Sequence, residues 1–135
     1  MKAKHAGRVP EYLQHILDAI DRAQSYVAGM DFAGFESDTR TQDAVIRSIE
    51  IIGEAANKTR VADPEFAARH PDVPWDLMYG MRNRIVHDYF DVDLQVVWQT
   101  VHRDLPVLRQ QIDTMLKSLI IISQSDPARA VSAPG

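Results

Sequence analysis

Residues 82 to 89 read Arg-Asn-Arg-Ile-Val-His-Asp-Tyr, which sets a guanidinium, an imidazole and a phenol in one short stretch. His87 brings an imidazole, the side chain whose unperturbed pKa lies near physiological pH and which can both take and give a proton. Arg82 is a permanent cation whose planar fork matches the oxygens of a phosphate. The chain has no cysteine, which removes thiolate nucleophiles, thiolate metal sites and disulfides. An Arg and a His without a metal-ligand cluster therefore point to acid–base chemistry on a phosphodiester. On spacing alone the same pair also reads as two surface groups of a helix, and Tyr89 as a packing residue at a helix end.

These residues need a scaffold, and the composition sets its scale. A chain of 135 residues with 45% apolar and 25% charged residues can bury one core and form one domain. The basic N-terminus is not followed by an apolar stretch of signal-peptide length, so no secretion signal is expected. The longest aliphatic run, Leu119 to Ile122, is too short to span a bilayer. A soluble, cytoplasmic protein with no membrane partner is the expectation. A formal charge of −4 argues against a broad basic surface for nucleic acid. Any contact with RNA is expected to be local, with Arg40, Arg47, Lys58 and Arg60 candidates to join Arg82 and Arg84 in a positive cleft.

Apolar residues recur at helical spacing. Leu13, Ile16, Leu17, Ile20, Ala23 and Val27 predict a first helix from Pro10 to about Ala28, ended by Gly29. Residues 30–38 read as a loop. Asp38 or Thr39 can cap a second helix to about Arg60, whose Gly53, Ala55 and Ala56 permit a close neighbour. Its charged stripe, Arg47, Glu50, Glu54 and Lys58, reads as a solvated face, with a second reading in which Arg47 or Glu50 lines a polar cleft.

Prolines 64, 71 and 74 leave room only for a short helical turn over 65–70. A third long helix opens at Pro74-Trp75-Asp76 and ends near Tyr89. The last helix starts at Asp91 or Asp93 and carries a seam of Val97, Val101, Leu105, Leu108, Ile112, Met115 and Leu119, which Pro106 should kink or break. The prediction is an all-α fold: an antiparallel bundle of four long helices with a short extra helical turn, spanning 9–122, and a mobile tail over 123–135.

Asp88, Asp91 and Asp93 read as helix caps rather than a metal site. His5, His15, His70 and His102 lack ligand spacing, and Trp75 and Trp98 read as packing anchors. Ile120 to Ile122 read either as the cover of a dimer interface or as core at the bundle end. No Gly-rich phosphate loop is present, and no cofactor or metal is expected. Five residues of helix amount to about 500°, so Arg82 and His87 point roughly 140° apart. They meet only if the helix unwinds near His87, or if a cleft or second subunit admits both.

The segments around the octet resemble a known family. Arg82, His87 and Tyr89 stand at the spacing Arg, four residues, His, one residue, Tyr, with the polar Asn83 after the Arg. Together with Pro74-Trp75, the segments 80–90 and 43–56, Val97-Trp98, Asp104-Leu-Pro106 and Leu108, they make the chain similar to HepT-like HEPN ribonuclease toxins over roughly residues 9–120. The resemblance implies a HEPN-like helical bundle that forms a homodimer bringing two motifs together. It implies a metal-independent endoribonuclease that cuts RNA by attack of the 2′-hydroxyl. His87 would be general acid or base, Arg82 the stabiliser of transition-state charge and Asn83 an orienting group. It also implies a partner, an MntA-like nucleotidyltransferase antitoxin that attaches AMP to Tyr89, with a hetero-oligomer of the two as a further assembly. Two other readings stand beside it: a catalytically silent HEPN module that binds nucleotide or partner, and the neutralising subunit of the pair.

Overall fold

The first long helix, α1 (Val9–Tyr26), follows a 3-10 turn at Ala6–Arg8 and carries Pro10 in its first turn. Pro10 costs no hydrogen bond there, because the first amides of a helix have no intrahelical acceptor. The stripe Leu13, Ile16, Leu17, Ile20 and Ala23 is buried. Gly29, with φ of 78°, supplies the left-handed residue after the helix. The computed structural model describes residues 6–87 and 91–124.

The expected loop over 30–38 contains one helical turn, α2 (Phe32–Glu36). It holds because Asp31 Oδ1 accepts from the Gly34 amide at 2.8 Å, and Gln42 Nε2 donates to the Phe35 and Glu36 carbonyls at 2.8 and 2.9 Å. Phe35 is fully buried against the Trp98 ring at 5.3 Å. A single turn fixed by a cap and one aromatic anchor is too short to show periodicity.

α3 (Thr39–Ala62) is the central element and packs against α1 and the site helix α5. Asp38 is its cap, accepting from the Thr41 amide at 3.1 Å. Asp63 closes α3 and in turn caps α4 (Pro64–Ala68) through the Phe66 amide at 3.1 Å. α5 covers Trp75–His87. Trp75 is buried at its start, with its Nε1 donating to the His70 carbonyl at 3.2 Å. Arg60 pairs with Asp76, and Glu54 with Arg82, so α3 and α5 run antiparallel.

α6 (Leu94–Gln99) is capped by Asp93, whose Oδ1 accepts from the Gln95 and Val96 amides at 2.9 and 3.4 Å. It continues through a π turn, Thr100–Asp104, into α7 (Leu105–Gln124). Pro106 thus neither breaks nor ends the helix. The wider turn, closed by the Leu105 amide donating to the Thr100 carbonyl, stops just ahead of Pro106. It gives the proline ring the room that an α-helical turn would deny. Val97, Val101, Leu105, Leu108, Ile112 and Met115 of the predicted seam are buried, and Leu119 is half-buried.

Arg109 grips Asp21 with two donors, Nε at 2.7 Å and Nη2 at 3.2 Å, which ties α7 to α1. That guanidinium holds the Asp21 carboxyl below the usual carboxylate range. α7 runs two residues into the segment expected as a mobile tail, and 125–135 lie outside the described residues. Ile120, Ile121 and Ile122 are 46%, 64% and 65% exposed, which rules out their reading as core. No helix among the described residues is long and apolar enough to cross a membrane.

The fold is all-α among the described residues, and its long helices share one core. Ile16 has no exposure at all, so Ile16→Ala leaves a cavity and should lower stability by about 2–5 kcal/mol in urea denaturation. A loss below about 1 kcal/mol contradicts its placement at the centre of the core.

Candidate functional site

The site is built on the contact between α3 and α5. A Cβ added to Gly53 would lie 2.6 Å from the Met78 carbonyl oxygen and closer still to the Cβ of Arg82. Only glycine lets the helices approach this far. The stem of Arg82 therefore lies directly on the α3 backbone, with its fork beside the residue that follows Gly53. Arg82 Nη2 donates to Glu54 Oε2 at 3.2 Å, and Nη1 donates to Asn83 Oδ1 at 3.1 Å. The side chain is 29% exposed, which leaves part of the guanidinium open to a ligand.

Arg82 forms one wall of a polar groove of about 380 Å³ between α1, α3 and α5, lined also by His15, Arg47, Glu50, Glu54 and Lys58. Arg47 pairs with Glu50 at 3.3 Å. The two readings of the α3 stripe meet here, since its four charged residues line this groove while Arg47, Glu54 and Lys58 stay exposed to solvent. The positive cleft is smaller than expected from sequence. Arg60 is taken by Asp76 and the face of the Tyr79 ring, and Arg84 lines a separate cavity of about 350 Å³ with Ile85 and Asp93. Arg40 stands exposed in the first turn of α3, away from the residues that line the groove.

Sequence reasoning passed over two groove residues. His15 lacks ligand spacing in the sequence, yet its position on α1 brings it to the groove edge. Glu54 reads from sequence only as part of a solvated stripe. Its place next to Gly53 was the available signal, because the residue beside a close helix approach must meet the neighbouring helix.

His87 is the last residue of α5 and is exposed. The helix does not unwind before it, and residues 88–90, which follow, lie outside the described residues. Arg82 and Asn83 are brought together with Glu54, while His87 projects roughly 140° away around the same helix. Asp88 and Tyr89 lie outside the described residues. Asp93 is committed to capping α6, as expected. Trp98 packs on Phe32 and Phe35, and its ring also meets His102 at 4.0 Å, which makes it an anchor of the core rim.

Residues 16–115, which contain every groove residue except His15, all of α5 and most of the α6–α7 rod, match the family described as ribonuclease HepT-like. The chain belongs to the HepT-like ribonuclease family. A relative from Thermococcus cleftensis named "Probable ribonuclease HepT" is 38% identical over 117 residues, covering 87% of this chain and 100% of the relative. Two further relatives carry the name "Putative RNase". One from Caldanaerobacter subterraneus subsp. tengcongensis is 36% identical over 106 residues, or 78% of this chain and 92% of its own length. One from Methanocaldococcus jannaschii is 32% identical over 105 residues, or 78% of this chain and 94% of its own. No solved structure matches the chain with significance.

In this HepT-like chain the position of Arg82 depends on Gly53. Gly53→Val forces α5 off α3 and should lower stability by about 1–3 kcal/mol in chemical denaturation. A valine accommodated at no cost contradicts the close approach.

Proposed function

We propose that this HepT-like protein is the toxin of a toxin–antitoxin pair and an endoribonuclease that cuts RNA without a metal ion. The observation that carries the reading is Arg82, held by Glu54 and Asn83 at the edge of a polar groove, on the same helix as an exposed His87 and inside the segment that matches a ribonuclease family. Arg82 supplies the fixed positive charge, and Asn83, hydrogen-bonded to it, orients the fork. His87 is exposed, and its imidazole is the side-chain type best suited to acid–base catalysis.

The reaction is transesterification. The 2′-oxygen of a ribose attacks the adjacent phosphorus as its proton passes to a base. The bond to the 5′-oxygen then breaks, that oxygen takes a proton from an acid, and a 2′,3′-cyclic phosphate and a 5′-hydroxyl remain. His87 serves as base or acid, and Arg82 stabilises the negative charge that grows on the non-bridging oxygens. Because α5 stays helical through His87, Arg82 of one subunit is proposed to work with His87 of a second subunit in a homodimer.

Control is assigned to Tyr89 and to a partner, an MntA-like nucleotidyltransferase that transfers AMP from ATP to the phenol. The added phosphates repel RNA and compete for Arg82. The divergence of Arg82 and His87 within one chain, with Arg82 already paired to Glu54, favours as a second reading a catalytically silent module that binds nucleotide or its partner without cutting.

Purified wild type should cleave RNA to cyclic-phosphate ends in the presence of a chelator, and His87→Ala and Arg82→Ala should each lower the rate by at least about 10²-fold. Incubation with the partner and ATP should add AMP mass to wild type and silence it, and should leave Tyr89→Phe active. Full cleavage by either alanine variant removes the assigned roles, and a wild type that binds nucleotide or its partner without cutting RNA establishes the silent reading.

A further inference from the structure

The polar groove contains more charge than one scissile phosphate needs. Arg47, Glu50, Glu54 and Lys58 follow one another at helical spacing along α3, a stripe about 16 Å long at 1.5 Å per residue. His15 of α1 borders one side and Arg82 of α5 the other. Three permanent cations face two carboxylates, so the groove is net positive on a chain of formal charge −4. The carboxylates do not neutralise it evenly. Glu50 takes Arg47 at 3.3 Å and Glu54 takes Arg82 at 3.2 Å. Lys58 is exposed and, among the described residues, has no ion-pair partner.

We propose that this groove is a phosphate track for single-stranded RNA, in which Arg47 and Lys58 hold backbone phosphates flanking the one at Arg82. The assignment rests on the nuclease reading, which makes the phosphate at Arg82, midway along the stripe beside Glu54, the scissile one. Glu50 and Glu54 act as internal stand-ins for phosphate. In the empty protein they hold the two guanidinium forks in the groove, and an incoming phosphodiester takes their place. Both pairs are open to solvent on at least one side, with Arg47 70% exposed and Glu54 50% exposed, so exchange of one anion for another is not opposed by burial. A track of this kind contacts no base edge and imposes no sequence preference of its own. It explains how an acidic protein engages RNA locally.

The test is fluorescence anisotropy with a short labelled oligouridylate, carried out in the His87→Ala background so that the probe stays intact. Arg47→Ala and Lys58→Ala should each raise Kd about tenfold at low salt and reduce the slope of log affinity against log salt by about 0.7, the value for one lost phosphate contact on a single strand. Glu50→Gln should bind more tightly than its parent, an effect that lost structure does not produce. Lys117→Ala, which removes an exposed ion pair with Asp113 on α7, should change neither quantity. Unchanged Kd and slope in both Arg47→Ala and Lys58→Ala overturn the track, as does a parent that does not bind the probe. The two readings fail separately. Cleavage by wild type with no groove dependence overturns the track alone, and groove-dependent binding without cleavage by wild type overturns the nuclease alone.

Discussion

Where α5 crosses Gly53, its backbone and the stem of Arg82 lie against the α3 backbone with no α3 side chain between them, and the rest of the site follows from that contact. The missing Cβ brings Arg82 onto α3 beside Glu54, so the arginine is fixed by main-chain packing before any ion pair forms. A salt bridge this exposed contributes little to stability by itself. Its value lies in aiming a fork that the backbone has already placed. The same contact sets the rotation of α5, and with it the direction in which His87 leaves the helix five residues later.

The groove and the divergence of His87 are two consequences of one rigid helix. Because α5 is helical through His87, Arg82 faces α1 and α3 while His87, five residues on, is exposed elsewhere on the helix. A single chain therefore offers a charged groove at one place and an exposed imidazole at another. The family to which the chain belongs is named for ribonucleases, and the proposed dimer is the arrangement that reconciles that chemistry with this geometry. The carboxylates of the groove fit the same picture, since Glu50 and Glu54 hold the Arg47 and Arg82 forks beside it.

Much of the fold is legible in the sequence because long helices with one buried face write a clear periodicity, as in Leu13 to Val27 and Val97 to Met115. Short or compensated features are not. The α2 turn depends on Asp31, Gln42 and a single buried Phe35, and the passage of the last helix through Pro106 depends on a π turn that no residue pattern announces. At the site, Arg82, Asn83 and His87 stand out by type and spacing, and the small residues of α3 signal a close helix. What the sequence cannot rank is which charges of α3 face that helix and which face water. That choice depends on the rotation of α3 between α1 and α5, a tertiary property that brings His15 and Glu54 to Arg82 and sends Arg60 to Asp76 instead.

The central claim is that the cutting site is shared between two subunits because one α5 cannot aim both groups at one phosphate. Subunit complementation addresses it most directly. Arg82→Ala and His87→Ala chains, each with a different affinity tag, are co-expressed, and mixed dimers are isolated and assayed for RNA cleavage. A shared site predicts that mixed dimers regain cleavage that neither parent homodimer shows, because one intact Arg82 faces one intact His87 across the interface. Mixed dimers as inactive as their parents contradict the claim and place both groups in the same chain.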